Sequence, residues 1–107
     1  MRMFEVMQKG GVATKLTGND TTVGQSFSAG LLTANGRSMS AVVVQCDPGQ
    51  SNAMRVTWGG TAPTIALGIY MAPGDIIRIS GEFNCANFRY INASVGNNSV
   101  LQMIPEY

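Results

Sequence analysis

Punctuation constrains this chain more than anything else. Gly or Pro interrupts it roughly every eight to twelve residues, and the runs between are rich in Val, Ile, Thr, Phe and Tyr. Inside a helix each Gly costs about 1 kcal/mol relative to Ala, and each Pro about 3 kcal/mol. No window carries apolar residues at i, i+3, i+4 and i+7 for more than a turn or two. The pattern predicts an all-β fold, a compact antiparallel sandwich or barrel of about seven to eight short strands. With 107 residues the chain makes one domain, 1–107, with one core and little surplus.

The β core is expected over 37–107. Ser38 to Cys46 reads as a strand with Val42, Val44 and Cys46 on one face and Ala41, Val43 and Gln45 on the other. Asp47-Pro48-Gly49 closes it, because Pro fixes φ and Gly accepts a positive φ. Ala53 to Trp58 alternates Met54, Val56 and Trp58 against Arg55 and Thr57, so one side is buried and one wet. Gly59 to Thr64 is a loop, Ile69 to Met71 a short strand, and Ala72-Pro73-Gly74-Asp75 a turn. Ile77 and Ile79 alternate with Arg78 and Ser80. Asn87 to Ala93 and Ser99 to Ile104 follow, joined by Gly96-Asn97-Asn98 as a hairpin connector.

Residues 1–36 differ, being polar and Gly-rich. A strand is predicted over Met3 to Gln8 and a weaker one around Thr21 to Phe27. Asn35-Gly36 favours a positive-φ hairpin turn. Met1, Met3, Phe4, Met7, Leu31 and Leu32 fall in no clean period and are candidate partner contacts. Two readings stand: an edge strand with loops of the same domain, or an extended arm that adds a strand to a neighbouring subunit.

Chemistry is constrained as firmly as shape. With no His and two Cys, the chain offers no zinc ligand set and neither a Ser-His-Asp nor a Cys-His arrangement. Glu5, Asp20, Asp47, Asp75, Glu82 and Glu106 are single and scattered, and the three Asp sit among turn residues whose backbone a carboxylate can hydrogen-bond. No Gly-rich phosphate-binding pattern occurs. The expectation is a non-enzyme with no cofactor, catalytic residue or metal site. Cys46 and Cys85 could pair, but free thiols in a reducing compartment are the favoured reading. The net charge of +1 supplies no basic surface for nucleic acid. Thr64 to Ala72, broken by Gly68, is far short of the ~20 residues a membrane span needs. A charged Met1-Arg2-Met3-Phe4-Glu5 opening argues against a signal peptide.

Only 12% of residues are charged, and Asn, Ser and Thr, at 8 each, take their place. Such a surface is desolvated more cheaply than one coated in Lys and Glu. The 7 Met and the excess of Arg (5) over Lys (2) match the composition of interface cores, although most of the Met also serve as core filler. Arg55, Arg78 and Arg89 lie on the wet faces of their strands, where they could meet acidic partner surfaces or remain solvated.

The run Met54-Arg55-Val56-Thr57-Trp58-Gly59-Gly60-Thr61-Ala62-Pro63-Thr64 resembles part of a group of small tailed-bacteriophage virion proteins. Gly68-Ile69-Tyr70-Met71-Ala72-Pro73-Gly74-Asp75, Phe88-Arg89-Tyr90-Ile91 and the terminal Val100 to Ile104 extend the likeness to about half the chain. The loop is also similar to one in immunoglobulin-like modules of bacterial glycosidases. Gly59 stands where that pattern usually has Asp, so no carboxylate role transfers. In a folding role, Gly60 and Pro63 shape the loop, Thr61 and Thr64 hydrogen-bond it, and Trp58 fills the core beside it.

The resemblance implies a capsid decoration, or cement, protein on the virion surface, synthesised in the host cytoplasm. Its partners would be the major capsid protein and itself, with a homotrimer ahead of a homodimer. Contacts of modest strength made by several copies would add up to slow dissociation. The alternatives are a head-tail connection or tail structural protein, and a carbohydrate-binding module using Trp58, Tyr70, Tyr90 and Tyr107 as stacking platforms.

Overall fold

A computed structural model of the chain describes residues 11–18, 24–94 and 98–107. Ten strands and two single-turn helices follow in order: β1 (Thr14–Gly18), β2 (Gln25–Ser26), α1 (Ala29–Leu32), β3 (Thr33–Ala34), β4 (Arg37–Ser38) and β5 (Ala41–Cys46). Then come β6 (Met54–Thr57), β7 (Ile69–Met71), β8 (Ile76–Ser80), α2 (Glu82–Ala86), β9 (Arg89–Asn92) and β10 (Ser99–Glu106). Eight strands build two four-stranded sheets, ordered β1-β10-β5-β8 and β2-β9-β6-β7, while β3 and β4 form a small hairpin. Every pairing is antiparallel. The fold is an all-β sandwich.

Alternation explains the core. Val42, Val44 and Cys46 of β5, Leu101 and Met103 of β10 and Ile79 of β8 face Met54 and Val56 of β6, Met71 of β7 and Tyr90 of β9. Phe27 stacks on Phe88 with ring centroids 4.9 Å apart and planes 12° from parallel, and Tyr90 tilts against both. Met39, Met54, Met71 and Met103 are all buried here, so these four Met are core filler. Cys46 and Cys85 are buried and unbonded to each other. Burial pushes both thiols up, Cys85 to about 11.

Turn chemistry lands where the residue types put it. Thr33 pairs with Ser38 and Ala34 with Arg37, leaving Asn35 (φ +53°) and Gly36 (φ +75°) as a two-residue hairpin turn. The Asp75 carboxylate accepts the Ala72 N–H at 2.9 Å, tying the turn into β8. Asp47 instead accepts from the Gln102 side chain at 3.3 Å.

Several expectations need correction. The strand placed over Ser38 to Cys46 is two strands, because Met39 turns inward and Met39 and Ser40 donate to Leu32 and Glu106 respectively. Around Thr21 to Phe27 only Gln25 and Ser26 are strand; residues 21–23 lie outside the described residues. The hairpin expected between β9 and β10 is absent. β9 lies between β2 and β6, and β10 between β1 and β5, so the chain crosses from one sheet to the other. Local turn residues cannot encode that, since both edges of β10 are claimed by strands distant in sequence.

β10 also runs past Ile104 through Pro105. A strand residue points its N and O to the same neighbour. The Pro105 carbonyl accepts from Gly11 at 2.7 Å, on the β1 side and beyond the last ladder pair, Thr14 with Met103. The absent Pro105 N–H therefore breaks no ladder bond.

In the described part of 1–36, two strands join the sandwich. β1 pairs with β10 along its whole length, β2 pairs with β9, and Phe27 is in the core. The strand predicted over Met3 to Gln8 lies outside the described residues. Among the described residues no helix is long and apolar enough to cross a membrane.

Candidate interaction surface

The segment between β6 and β7 is fastened from inside. The Thr57 hydroxyl donates to the Thr61 carbonyl at 2.6 Å, so Thr61 contributes its backbone to the loop. Gly60 turns with φ +97°, and Pro63 is fully buried as the loop's plug. The Thr64 hydroxyl accepts the N–H groups of Ala66 (3.1 Å) and Leu67 (2.9 Å), while Thr64 and Leu67 also exchange backbone hydrogen bonds. Trp58 is half-buried and packs against the core margin rather than filling the core.

Arg55 fixes the far end. Its Nε donates to the Ile65 carbonyl and its Nη1 to the Gly68 carbonyl, both at 3.0 Å. The guanidinium carbon sits 5.3 Å from the ring centroid of Tyr70, its register partner across β6 and β7. Arg55 is on the outer face of its strand, as the alternation indicates. It serves as an internal staple rather than a free partner contact, because the adjoining loop brings carbonyl acceptors within reach of its planar fork.

The frame carries apolar side chains outward. Ile65 is 41% exposed, Leu67 52%, Ile69 53% and Tyr70 55%, all within six residues. No charged residue occurs from Thr57 to Gly74. Ile65 and Leu67 lie on the loop, while on β7 Ile69 and Tyr70 alternate to opposite faces, beside Val56 and Arg55 respectively.

The other expected contacts fall elsewhere. Arg78 reaches over β5 and grips Glu106 with both arms, Nε to Oε2 at 3.0 Å and Nη2 to Oε1 at 2.8 Å. Its charge is thus engaged within the domain, with a buried carboxylate that no local pattern ties to it. Arg89 is half-buried on β9 between β2 and β6. Leu31 and Leu32 pack against the core from α1, and the Leu31 carbonyl accepts the Tyr107 hydroxyl at 2.6 Å. These two Leu are packing residues, because α1 folds them back over the sandwich. Met1, Met3, Phe4 and Met7 lie outside the described residues. Arg55 and Arg78 are thus engaged by hydrogen bonds within the domain, and Leu31 and Leu32 are half-buried against the core.

Of the aromatic platforms, Tyr90 is buried, Tyr107 is half-buried and tied to Leu31, and Tyr70 is exposed with Arg55 over its ring. Burial also raises the pKa of the Tyr90 and Tyr107 phenols, because it disfavours the phenolate. A cleft of about 740 Å³ opens between the start of β1 and the β3–β4 hairpin, with Val12, Leu31, Arg37 and Tyr107 in its walls. Arg37 brings that cleft its charge.

No protein-family model, curated protein or solved structure matches this chain. What it does is therefore read from its own surface.

Sequence reasoning missed Ile65, Leu67 and Ile69. The signal was present as an uncharged run containing three large aliphatics, but one that also reads as a buried strand.

Proposed function

We propose that this chain is a structural, non-catalytic adhesion module of a tailed-phage virion. In this reading it is a capsid decoration protein that attaches as a homo-oligomer to the major capsid protein. The observation that supports the reading is the pair of exposed aliphatics Ile65 and Leu67, carried on a loop that Arg55 and Thr64 fasten, with Ile69 and Tyr70 exposed on the strand that follows. A module of this kind works by removing surface from water, at about 25 cal/mol per Å² of apolar area. The likeness of the 54–107 segment to small virion proteins supplies the setting. Binding the assembled lattice and not the free subunit stabilises the assembly by mass action.

Purified protein added to undecorated capsids is expected to bind saturably and raise their thermal disruption temperature. Mass spectrometry of purified particles is expected to find the chain, with cryo-electron microscopy placing it on the head surface. Its absence from particles, together with no binding to capsids, refutes the proposal. A position at the neck or along the tail replaces decoration with a connector role.

A further inference from the structure

We infer that Asn35 is a site of spontaneous covalent modification: the Gly36 nitrogen closes on its side-chain amide, and water converts the resulting imide to aspartate or isoaspartate. The inference stands apart from the adhesion reading and concerns what becomes of the chain after it folds. Asn35-Gly36 is the one Asn-Gly pair in the sequence. Glycine in the second place matters sterically, because no Cβ shields the attacking nitrogen. Even a Cβ built at Gly36 would meet no atom within 4 Å, so the approach is open.

Contrast with other asparagines carries the argument. The Nδ2 groups of Asn52, Asn84, Asn87 and Asn92 donate to the carbonyls of Asn98, Ser80, Phe83 and Ser94 respectively. Asn84 lies in α2, Asn87 caps it, and Asn92 is buried on β9. Each of the four is followed by a residue with a side chain. Asn35 and Gly36 are both exposed. Among the described residues neither the Asn35 amide nor the Gly36 N–H takes part in a hydrogen bond. Only the turn itself stands between the two groups, since it must open to bring them face to face. β3 and β4 pair over two residues each and with no other described strand, so that opening is cheap.

The step needs no reagent but water. The Gly36 nitrogen attacks the Asn35 Cγ, an N–C bond forms, the Cγ–Nδ2 bond breaks, and ammonia leaves with the Gly36 amide proton. Water then opens one of the two imide C–N bonds, and nothing is oxidised or reduced. Opening on one side gives aspartate. Opening on the other gives isoaspartate, whose main chain runs through the former side chain and is longer by a carbon. A turn of two residues sets the register of its hairpin, so the second product loosens β3 from β4.

Both products place a carboxylate in the wall of the cleft between β1 and the β3–β4 hairpin, which Asn35 lines together with Arg37. The formal net charge falls from +1 to zero, where the repulsion that keeps copies apart is least.

Ageing the purified full chain at mildly alkaline pH in heavy-oxygen water tests this. An acidic species carrying a single heavy oxygen is expected to grow on anion exchange. Peptide mapping should find aspartate and isoaspartate at position 35, with Asn52, Asn84, Asn87 and Asn92 still amides. Asn35→Gln, which would have to close a larger ring, should slow the conversion by roughly tenfold or more. Asn35→Asp, folded by circular dichroism, should elute beside the acidic species from the outset. Unfolding the unaltered chain in urea should speed conversion by less than about tenfold, because the hairpin already opens in the folded state. The inference is overturned if position 35 stays an amide in the folded chain while converting in urea. Prior conversion of another asparagine overturns it too, as does an Asn35→Gln chain that ages as fast.

Discussion

Arg78 and Glu106 share two hydrogen bonds but not their surroundings: the carboxylate is buried, while about a third of the guanidinium side chain reaches solvent. Removing the cation strands a buried anion, whereas neutralising the anion leaves a group that water can still reach. Arg78→Met is therefore expected to cost about 3 kcal/mol, and Glu106→Gln about 1 kcal/mol, in urea unfolding. Equal costs would contradict this asymmetry. Cys85 gives a pH signature. Its thiol ionises near 9.0 when solvated and near 11 when folded, because burial disfavours the thiolate. Between those values the unfolded chain releases a proton that the folded chain keeps. Its contribution to stability is thus complete below about pH 9 and falls as pH rises towards 11. Cys85→Ala should flatten that alkaline loss in part, since the Cys46 thiol and the Tyr90 phenol are raised by burial too. At this scale alternation identified the wet face of Arg55 and Arg78. What sits opposite each guanidinium depends on strands far away in the chain.

The loop from Thr57 to Gly68 behaves as an element in its own right, stapled at both ends. Arg55→Lys keeps the charge but cannot present a planar fork to the Ile65 and Gly68 carbonyls together. Hydrogen exchange at Ala66 and Leu67 is expected to accelerate in that variant, with the core amides unaffected. Gly68 has φ +125°, a conformation nearly reserved for glycine, and a Cβ there would meet the Val56 carbonyl at 3.1 Å. Gly68→Ala should cost on the order of 2 kcal/mol, seen as a lower urea midpoint. Turns were the most legible elements, as Asn35-Gly36 and Asp75 illustrate, because their chemistry lies within four residues. The β9–β10 connection was not legible, because a Gly-Asn-Asn segment describes a bend and not the sheet that receives the next strand.

For the whole molecule, the fold class follows from punctuation and alternation, while the order of strands follows from which faces find each other. The residues of the described core run from Phe27 to Met103, and β1 closes the sheet edge from Thr14. A chain of residues 11–107 is therefore expected to keep a cooperative urea transition within about 1 kcal/mol of the full chain. Loss of that transition would place residues 1–10 within the folding unit.

One pairing has a further bearing on biosynthesis. β1 is the first strand in chain order, and its partner β10 is the tenth, with β10 also filling the gap between β1 and β5. A ribosome adding about 5–20 residues per second leaves the nascent β1 without its mate for several seconds, on the order of ten at the slower speeds. During that interval the first sheet lacks its middle, and a translating polysome would hold several such half-finished chains side by side.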